Sequence, residues 1–200
     1  MLRRGQLLKI DCTTIGLRSG PGVSTARLGR MALAVVLLLL PSFANAAELE
    51  TRYATIRYGD EQQLHKLNRE LILSRNMSYL LRGRRNMTVQ DEVAAKIDLV
   101  LEQVQLVLEM FPEKLRFEIL LFSTAEEARE ELFKRYRKKV NFISFYSRKE
   151  NALYLAAQHS ELKVVAHELG HVVVEHYFDR APPVKIHEVM ARYAVDHIAD

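Results

Sequence analysis

The chain has 200 residues, with 29 Lys and Arg against 25 Asp and Glu, which gives a formal net charge of +4. Six of those basic residues but only one acidic residue, Asp11, fall within residues 1–46, so residues 47–200 carry 23 basic and 24 acidic residues and a net charge near −1. This balance gives no reason to expect a nucleic-acid partner, which a strongly basic domain would favour. The sole cysteine, Cys12, also lies in residues 1–46, so the rest of the chain forms no disulfide.

The N-terminal residues have the pattern of a signal peptide. Arg30 precedes a ten-residue apolar run over residues 31–40, and an Ala-Asn-Ala sequence ends at Ala46, where signal peptidases would cleave. The run is shorter than the roughly 20 residues that a membrane-spanning helix needs. We therefore expect residues 1–46 to be removed as a leader, residues 47–200 to form a single domain, and the protein to be exported to the periplasm or secreted. The alternative is an uncleaved leader that anchors the protein in the membrane.

The remaining chain alternates between segments of strand and helix character. The patterns predict a strand at 52–58, a helix at 60–81, a helix from a Thr88/Asp91 capping box to about 110, a strand at 115–122, a helix from a capping box at Ser123–Glu126 to about 138, and strands near 140–147 and 151–157. Two helices follow. This order is typical of an α+β domain, with a small mixed or antiparallel sheet and flanking helices.

The segment from Val164 to Val174 contains the motif H-E-x-x-H within an apolar stretch. His167 and His171 are four residues apart, so a helix places both on one face, about one turn from each other. Two imidazoles at this spacing can bind one zinc ion, and Glu168 directly follows the first of them. Gly170 inside the helix predicts that another backbone passes close by.

The two histidines leave a third ligand to be found, because a catalytic zinc site usually has three protein ligands and a water. The metzincin pattern is excluded, since Val174 and Tyr177 stand where its glycine and its third histidine belong. Glu175 lies one turn beyond His171, and a straight helix would carry it away from the metal.

Glu188 is the better candidate for the third ligand. Asp179–Pro183 ends the first helix with two prolines, and a second helix is predicted from Lys185 onward. Two helices joined by a short loop pack antiparallel, so Glu188 can face the two histidines if the loop brings it back. His187 is the nearest rival as a ligand, and an ordinary exposed helical glutamate is the other interpretation of Glu188.

Glu188, Ala191 and Tyr193 form the pattern E-x-x-A-x-Y, which together with H-E-x-x-H resembles the gluzincin metallopeptidases of the thermolysin clan. The resemblance covers roughly residues 150–195. It implies zinc as the cofactor and a peptide or protein as the substrate. Of the two kinds of peptidase, an endopeptidase is favoured over an exopeptidase. The roles that it implies are zinc ligands for His167, His171 and Glu188, and general base for Glu168.

The resemblance also implies two features around the metal. One is an edge strand that binds peptide by strand addition, for which 151–157 is the candidate, with an interior strand as the alternative. The other is a Tyr or His that assists the reaction, for which Tyr154, Tyr193 and His197 are unranked candidates. Two further functions stay open: a zinc-binding scaffold or interaction module without useful turnover, and a metal-dependent hydrolase of a non-peptide amide.

Overall fold

The computed structural model describes residues 47–81, 88–137, 141 and 143–198, all within one compact unit. The predicted leader at residues 1–46 lies outside the described residues. The strands are β1 (Ala47–Glu50), β2 (Ala54–Tyr58), β3 (Phe117–Phe122), β4 (Phe145–Ser147) and β5 (Ala152–Ala156). The helices are α1 (Glu61–Glu70), α2 (Arg75–Leu81), α3 (Val89–Leu108), α4 (Ala125–Tyr136), α5 (Leu162–Tyr177) and α6 (Val184–His197).

The five strands of the described residues form one mixed sheet in the order β1-β2-β3-β5-β4. The central pairs β2–β3 and β3–β5 are parallel, and the outer strands β1 and β4 are antiparallel to their neighbours. This arrangement confirms the predicted α+β class with a small mixed sheet. It also shows that the prediction of 151–157 as an edge strand is wrong: β5 is buried along its whole length, as an interior strand is, and β4 is the edge.

The helix and strand boundaries depart from the sequence patterns in a few places. The helix predicted at 60–81 is divided into α1 and α2, because Leu71 and Leu73 leave the helical conformation and are buried in the core. The capping box of Thr88 and Asp91 is confirmed at the start of α3. Helix α4 is capped by Thr124, which accepts from the backbone of Glu127, one residue later than predicted. Strand β1 was not predicted.

One face of the sheet packs against α5, and this contact fixes the position of the motif helix. Leu153 and Leu155 of β5 belong to the same core as the fully buried Val165, Leu169 and Val172 of α5. Burying a side chain of this kind contributes about 1.5–3 kcal/mol each. Helix α5 is therefore held rigidly by its apolar face, which leaves the His167/His171 face turned away from the sheet.

None of the described helices combines the length and the apolar character that crossing a bilayer requires.

Candidate metal centre

The two motif histidines lie side by side on α5, as their spacing predicts. Their Nε2 atoms are 3.3 Å apart, and the two rings meet edge to face with centroids 4.8 Å apart. Both imidazoles are partly buried, and their Nε2 atoms point toward the same region beside α6. Two nitrogen donors converge there without any rearrangement of the helix.

Glu188 completes the group from α6. Its Oε2 lies 3.7 Å from Nε2 of His167, and its Oε1 lies 3.6 Å from Nε2 of His171. One donor atom from each of the three residues can be chosen so that all lie within 4.8 Å of one another. The interpretation of Glu188 as an unrelated surface glutamate does not explain this convergence, even though 52% of its side chain is exposed.

The two rivals for the third position face each other instead of the histidine pair. Nε2 of His187 lies 3.4 Å from Oε2 of Glu175, and Nε of Arg148 lies 2.6 Å from the same Glu175 oxygen. Neither residue belongs to the convergent donor group. Glu175 is displaced along the helix, as predicted, and His187 points to the buried side of α6.

A close contact between the two helices brings Glu188 within reach. A Cβ added to Gly170 would come within 2.9 Å of Cα and 3.2 Å of Cβ of Ala191. The predicted approach of another backbone is therefore confirmed, and the neighbour is α6. The pairs 170/191 and 175/187 run in opposite directions along the two helices, so the predicted antiparallel packing is also confirmed.

Burial keeps both imidazoles of the donor group neutral. Desolvation lowers the pKa of His171 to about 3, with further contributions from His167, His187 and the Arg148 charge. Desolvation also lowers the pKa of His167, against the charge of Glu188 that raises it. A metal-ligating histidine must be unprotonated, so these imidazoles are in the binding form at neutral pH.

The donor set fits zinc. Two imidazole nitrogens and one carboxylate oxygen are the ligands of a known class of catalytic zinc site, which keeps a fourth position for water. The ligands come from two packed helices, and each neutral imidazole has one unprotonated ring nitrogen that can bind a metal. The chemistry of the donors therefore agrees with the metal that the motif implies.

Glu168 lies next to this group but outside it. Its residue is only 8% exposed, and burial raises the pKa of its carboxyl to about 8. A hydrogen bond from the backbone N–H of Tyr146 in β4 opposes this rise, and the charge of Glu188 adds to it. A carboxyl with a pKa near neutral can gain or lose a proton under ordinary conditions.

The three proposed assisting residues do not reach the donor group. Tyr154 points to the opposite face of the sheet, where it packs with Leu120 and Phe122. Tyr193 and His197 stack on each other at 4.1 Å, and helical geometry places them about 140° and 180° around α6 from Glu188. These candidates are therefore wrong as neighbours of the site.

The residues that sequence reasoning missed are Tyr146 and Arg148, both from the β4–β5 hairpin. Asn151 allows this tight turn, because its φ of 51° lies in the left-handed region that asparagine tolerates. Its side chain also accepts from the Tyr146 hydroxyl at 2.8 Å. The only signal in the sequence was the short gap at 148–150 between the two predicted strands, which does not indicate what the connecting turn would contact.

Comparisons of the chain with protein-family models, with curated proteins and with solved structures find no match.

Proposed function

We propose that this chain is an exported zinc-dependent peptidase of the gluzincin type. His167, His171 and Glu188 would hold the metal, and Glu168 would be the general base. The observation that carries the proposal is the convergence of three donor atoms from two helices within 4.8 Å, with a buried carboxyl directly beside them. A helix pair that had only a structural role would need neither the donors nor the buried acid.

The proposed chemistry divides between the metal and Glu168. When bound, zinc would lower the pKa of a coordinated water and polarise the carbonyl oxygen of a peptide bond. Glu168 would accept the proton of the attacking water and deliver it to the leaving amine. General bases work best with a pKa near the operating pH, and the burial of Glu168 moves its carboxyl in that direction.

The substrate would bind along β4. This strand is the edge of the sheet next to α5, and its Tyr146 backbone already touches Glu168. A peptide added to an edge strand gains main-chain hydrogen bonds without strict sequence readout. Strand β4 therefore takes the role that the sequence analysis gave to 151–157.

The decisive experiment measures zinc content and peptide-library cleavage of the purified protein and of two glutamate variants. Glu168→Gln should keep its zinc but lose activity by about 10²–10⁴-fold, because that is what general-base catalysis contributes. Glu161→Gln is the matched control, since it makes the same change at an exposed position at the start of α5. Equal cleavage by the wild type and Glu168→Gln would contradict the proposal.

One observation favours a second function, a zinc-binding scaffold without turnover. None of the three proposed assisting residues faces the donor group, as described above. The same experiment separates the two functions, because a scaffold would hold zinc in the wild type and in Glu168→Gln while neither cleaves the library. Cleavage of simple amides but not of peptides would identify the hydrolase of a non-peptide amide.

Export is a part of the proposal that rests on residues 1–46 alone. If the leader is cleaved after Ala46, the exported protein begins at Ala47. N-terminal sequencing of the exported protein measures this directly. Retention of residues 31–46 would identify a membrane-anchored enzyme instead.

A further inference from the structure

Glu188 is less enclosed than the other two proposed ligands: 52% of its side chain is exposed, against 28% for His167 and 16% for His171. In the part of the chain that the structure describes, its carboxylate has no ion-pair or hydrogen-bond partner besides the two imidazoles. Helix α6 begins at Val184, and its N-cap residue, Pro183, makes no side-chain capping hydrogen bond. The position of the Glu188 carboxylate therefore depends on how α6 as a whole sits against α5.

Two degrees of freedom of α6 matter for this position: its distance from α5 and its rotation about its own axis. The contact of Ala191 with Gly170 sets the distance. Rotation needs a separate restraint, because an atom about 6 Å from the helix axis moves by about 2 Å for a rotation of about 20°. Metal–ligand distances tolerate deviations of only about 0.2 Å.

His187 is placed to provide this restraint. It precedes Glu188 in the helix, so any rotation that moves one side chain moves the other by the same angle. The His187 side chain is only 5% exposed, and its Nε2 lies 3.4 Å from Oε2 of Glu175. Its ring also lies 5.9 Å from that of His171, at a tilt of 34°. The imidazole is thus enclosed between α5 and α6.

Glu175 also contacts a third element, the turn that follows β4. Nε of Arg148, in the turn after β4, lies 2.6 Å from Oε2 of Glu175. This oxygen and Nε2 of His187 are both buried and make no hydrogen bond of regular geometry within the described residues. Glu175 is only 23% exposed and its Oε2 is buried, so removal of the Arg148 cation should weaken the hold on this carboxylate.

We propose that Arg148, Glu175 and His187 form a clamp that positions Glu188 for metal binding. The clamp joins the β4–β5 turn, α5 and α6, and it acts through the orientation of α6, so its members are positioning residues. This proposal rests on the metal centre proposed above. It also accounts for the two rival ligands: they support the site without entering it.

Arg148 provides the sharpest test, because its side chain is 42% exposed and its substitution should leave the fold intact. Arg148→Met and Glu175→Gln in the full chain should each weaken zinc affinity by about 10–100-fold, the usual effect of changing an outer partner of a metal ligand. Arg148→Lys should restore part of the loss. Lys149→Met removes the same charge from the neighbouring position of the same turn and should have no effect.

Three measurements distinguish positioning from general stability. They are zinc affinity by competition with a chelator, the visible spectrum of the cobalt-substituted protein, and the free energy of unfolding without metal. The clamp predicts an altered cobalt spectrum and weaker zinc binding in Arg148→Met, beyond any loss of stability. The clamp is overturned if Arg148→Met and Glu175→Gln unfold more easily but bind zinc like the wild type. A wild-type protein that binds no zinc overturns the clamp and the metal centre together.

Discussion

The two faces of the sheet bury polar groups in opposite ways. On the face covered by α4, the charged groups pair with one another: Arg135 contacts Glu131 at 2.9 Å and Glu150 at 3.3 Å, and the Tyr154 hydroxyl donates to Glu150. On the face covered by α5, Arg148 and Glu175 form an ion pair, but the groups in and next to the donor cluster are pushed toward their neutral forms. There, burial raises the pKa of Glu168 and lowers those of His167, His171 and His187.

Glu150 and Glu168 illustrate this contrast, because the pKa values of their carboxyls shift in opposite directions. Burial alone would raise the pKa of Glu150, but hydrogen bonds from Tyr154 and Tyr136 and the charge of Arg135 outweigh it and lower the pKa. Glu168 receives one backbone hydrogen bond, which burial and the charge of Glu188 overcome. The hydrogen bonds and ion pairs on the α4 face therefore stabilise the charged forms of its residues and, with them, the fold. The α5 face keeps groups that a bound cation would stabilise, and perturbed carboxyl and imidazole pKa values are common at functional sites.

The largest expected effect is on zinc binding by the α5 face. Glu188→Ala should weaken zinc affinity by more than the 10–100-fold expected from an outer partner, because it removes a ligand. Chelator competition should therefore rank Glu188→Ala above Glu175→Ala and His187→Ala. Asp196→Ala, an exposed acid on the same helix, is the control and should match the wild type. A larger loss from His187→Ala would show that the third ligand has been assigned to the wrong residue.

The second prediction concerns the pH dependence of stability without metal. The pKa of Glu168 rises from 4.5 in the unfolded chain to about 8 in the folded protein. Between these values the folded carboxyl keeps a proton that the unfolded chain releases. Each unit of pH should therefore lower the free energy of unfolding by about 1.4 kcal/mol relative to Glu168→Gln.

Urea titrations of the chelator-treated wild type and Glu168→Gln, from pH 4.5 to above pH 8, would measure this difference. His167, His171 and His187 lower the free energy of unfolding below pH 6.5, because their pKa values are lowered in the folded protein. Both proteins contain these histidines, so their contribution cancels in the comparison. The two stability curves should diverge up to about pH 8 and then run parallel. Parallel curves throughout would mean that Glu168 titrates as an ordinary carboxyl.

The donor residues could be predicted because most of the information is local. His167, Glu168 and His171 lie within one helix, whose period places the two imidazoles together. Glu188 needed only one further step, an antiparallel helix after a proline stop. Gly170 also carried a local signal, since a glycine inside a helix indicates a close neighbour.

The rest of the site could not be predicted because it depends on long-range packing. Arg148 reaches Glu175 only because the β4–β5 hairpin ends beside α5. The edge strand was misassigned because strand order depends on pairing between distant segments, although the continuous apolar run of β5 is typical of an interior strand. Since β5 has no alternation of apolar and polar residues, its sequence also did not show that Tyr154 points away from α5.

Gly170→Ala should have an intermediate effect on the α5 face. Alanine gains about 1 kcal/mol of helix propensity, but its Cβ would meet the Ala191 backbone at 2.9 Å, and overpacking of this kind costs about 1–3 kcal/mol. We expect the cost of overpacking to exceed the gain in helix propensity, because a backbone atom cannot move aside as a flexible side chain can. We expect a lower free energy of unfolding and weaker zinc binding. Gly59→Ala is the control, because its Cβ would meet only the Gln63 side chain, at 3.6 Å.

The smallest expected effect tests the α4 face. Tyr154 is 1% exposed, and Tyr154→Phe removes the hydroxyl that donates to Glu150 while keeping the ring packed against Phe122. Hydrogen bonds to charged groups contribute about 1.5–3 kcal/mol, and the Arg135 ion pair that remains on Glu150 should reduce the loss toward the lower end.

Denaturant unfolding measures this loss, and zinc affinity should stay at the wild-type value, because the hydroxyl lies across the sheet from the donor group. Tyr193→Phe, at a half-exposed position on α6, is the control and should change neither quantity. If Tyr154→Phe weakened zinc binding as much as it weakened the fold, the two faces would be coupled through β5. The division between a stabilising face and a metal-binding face would then be wrong.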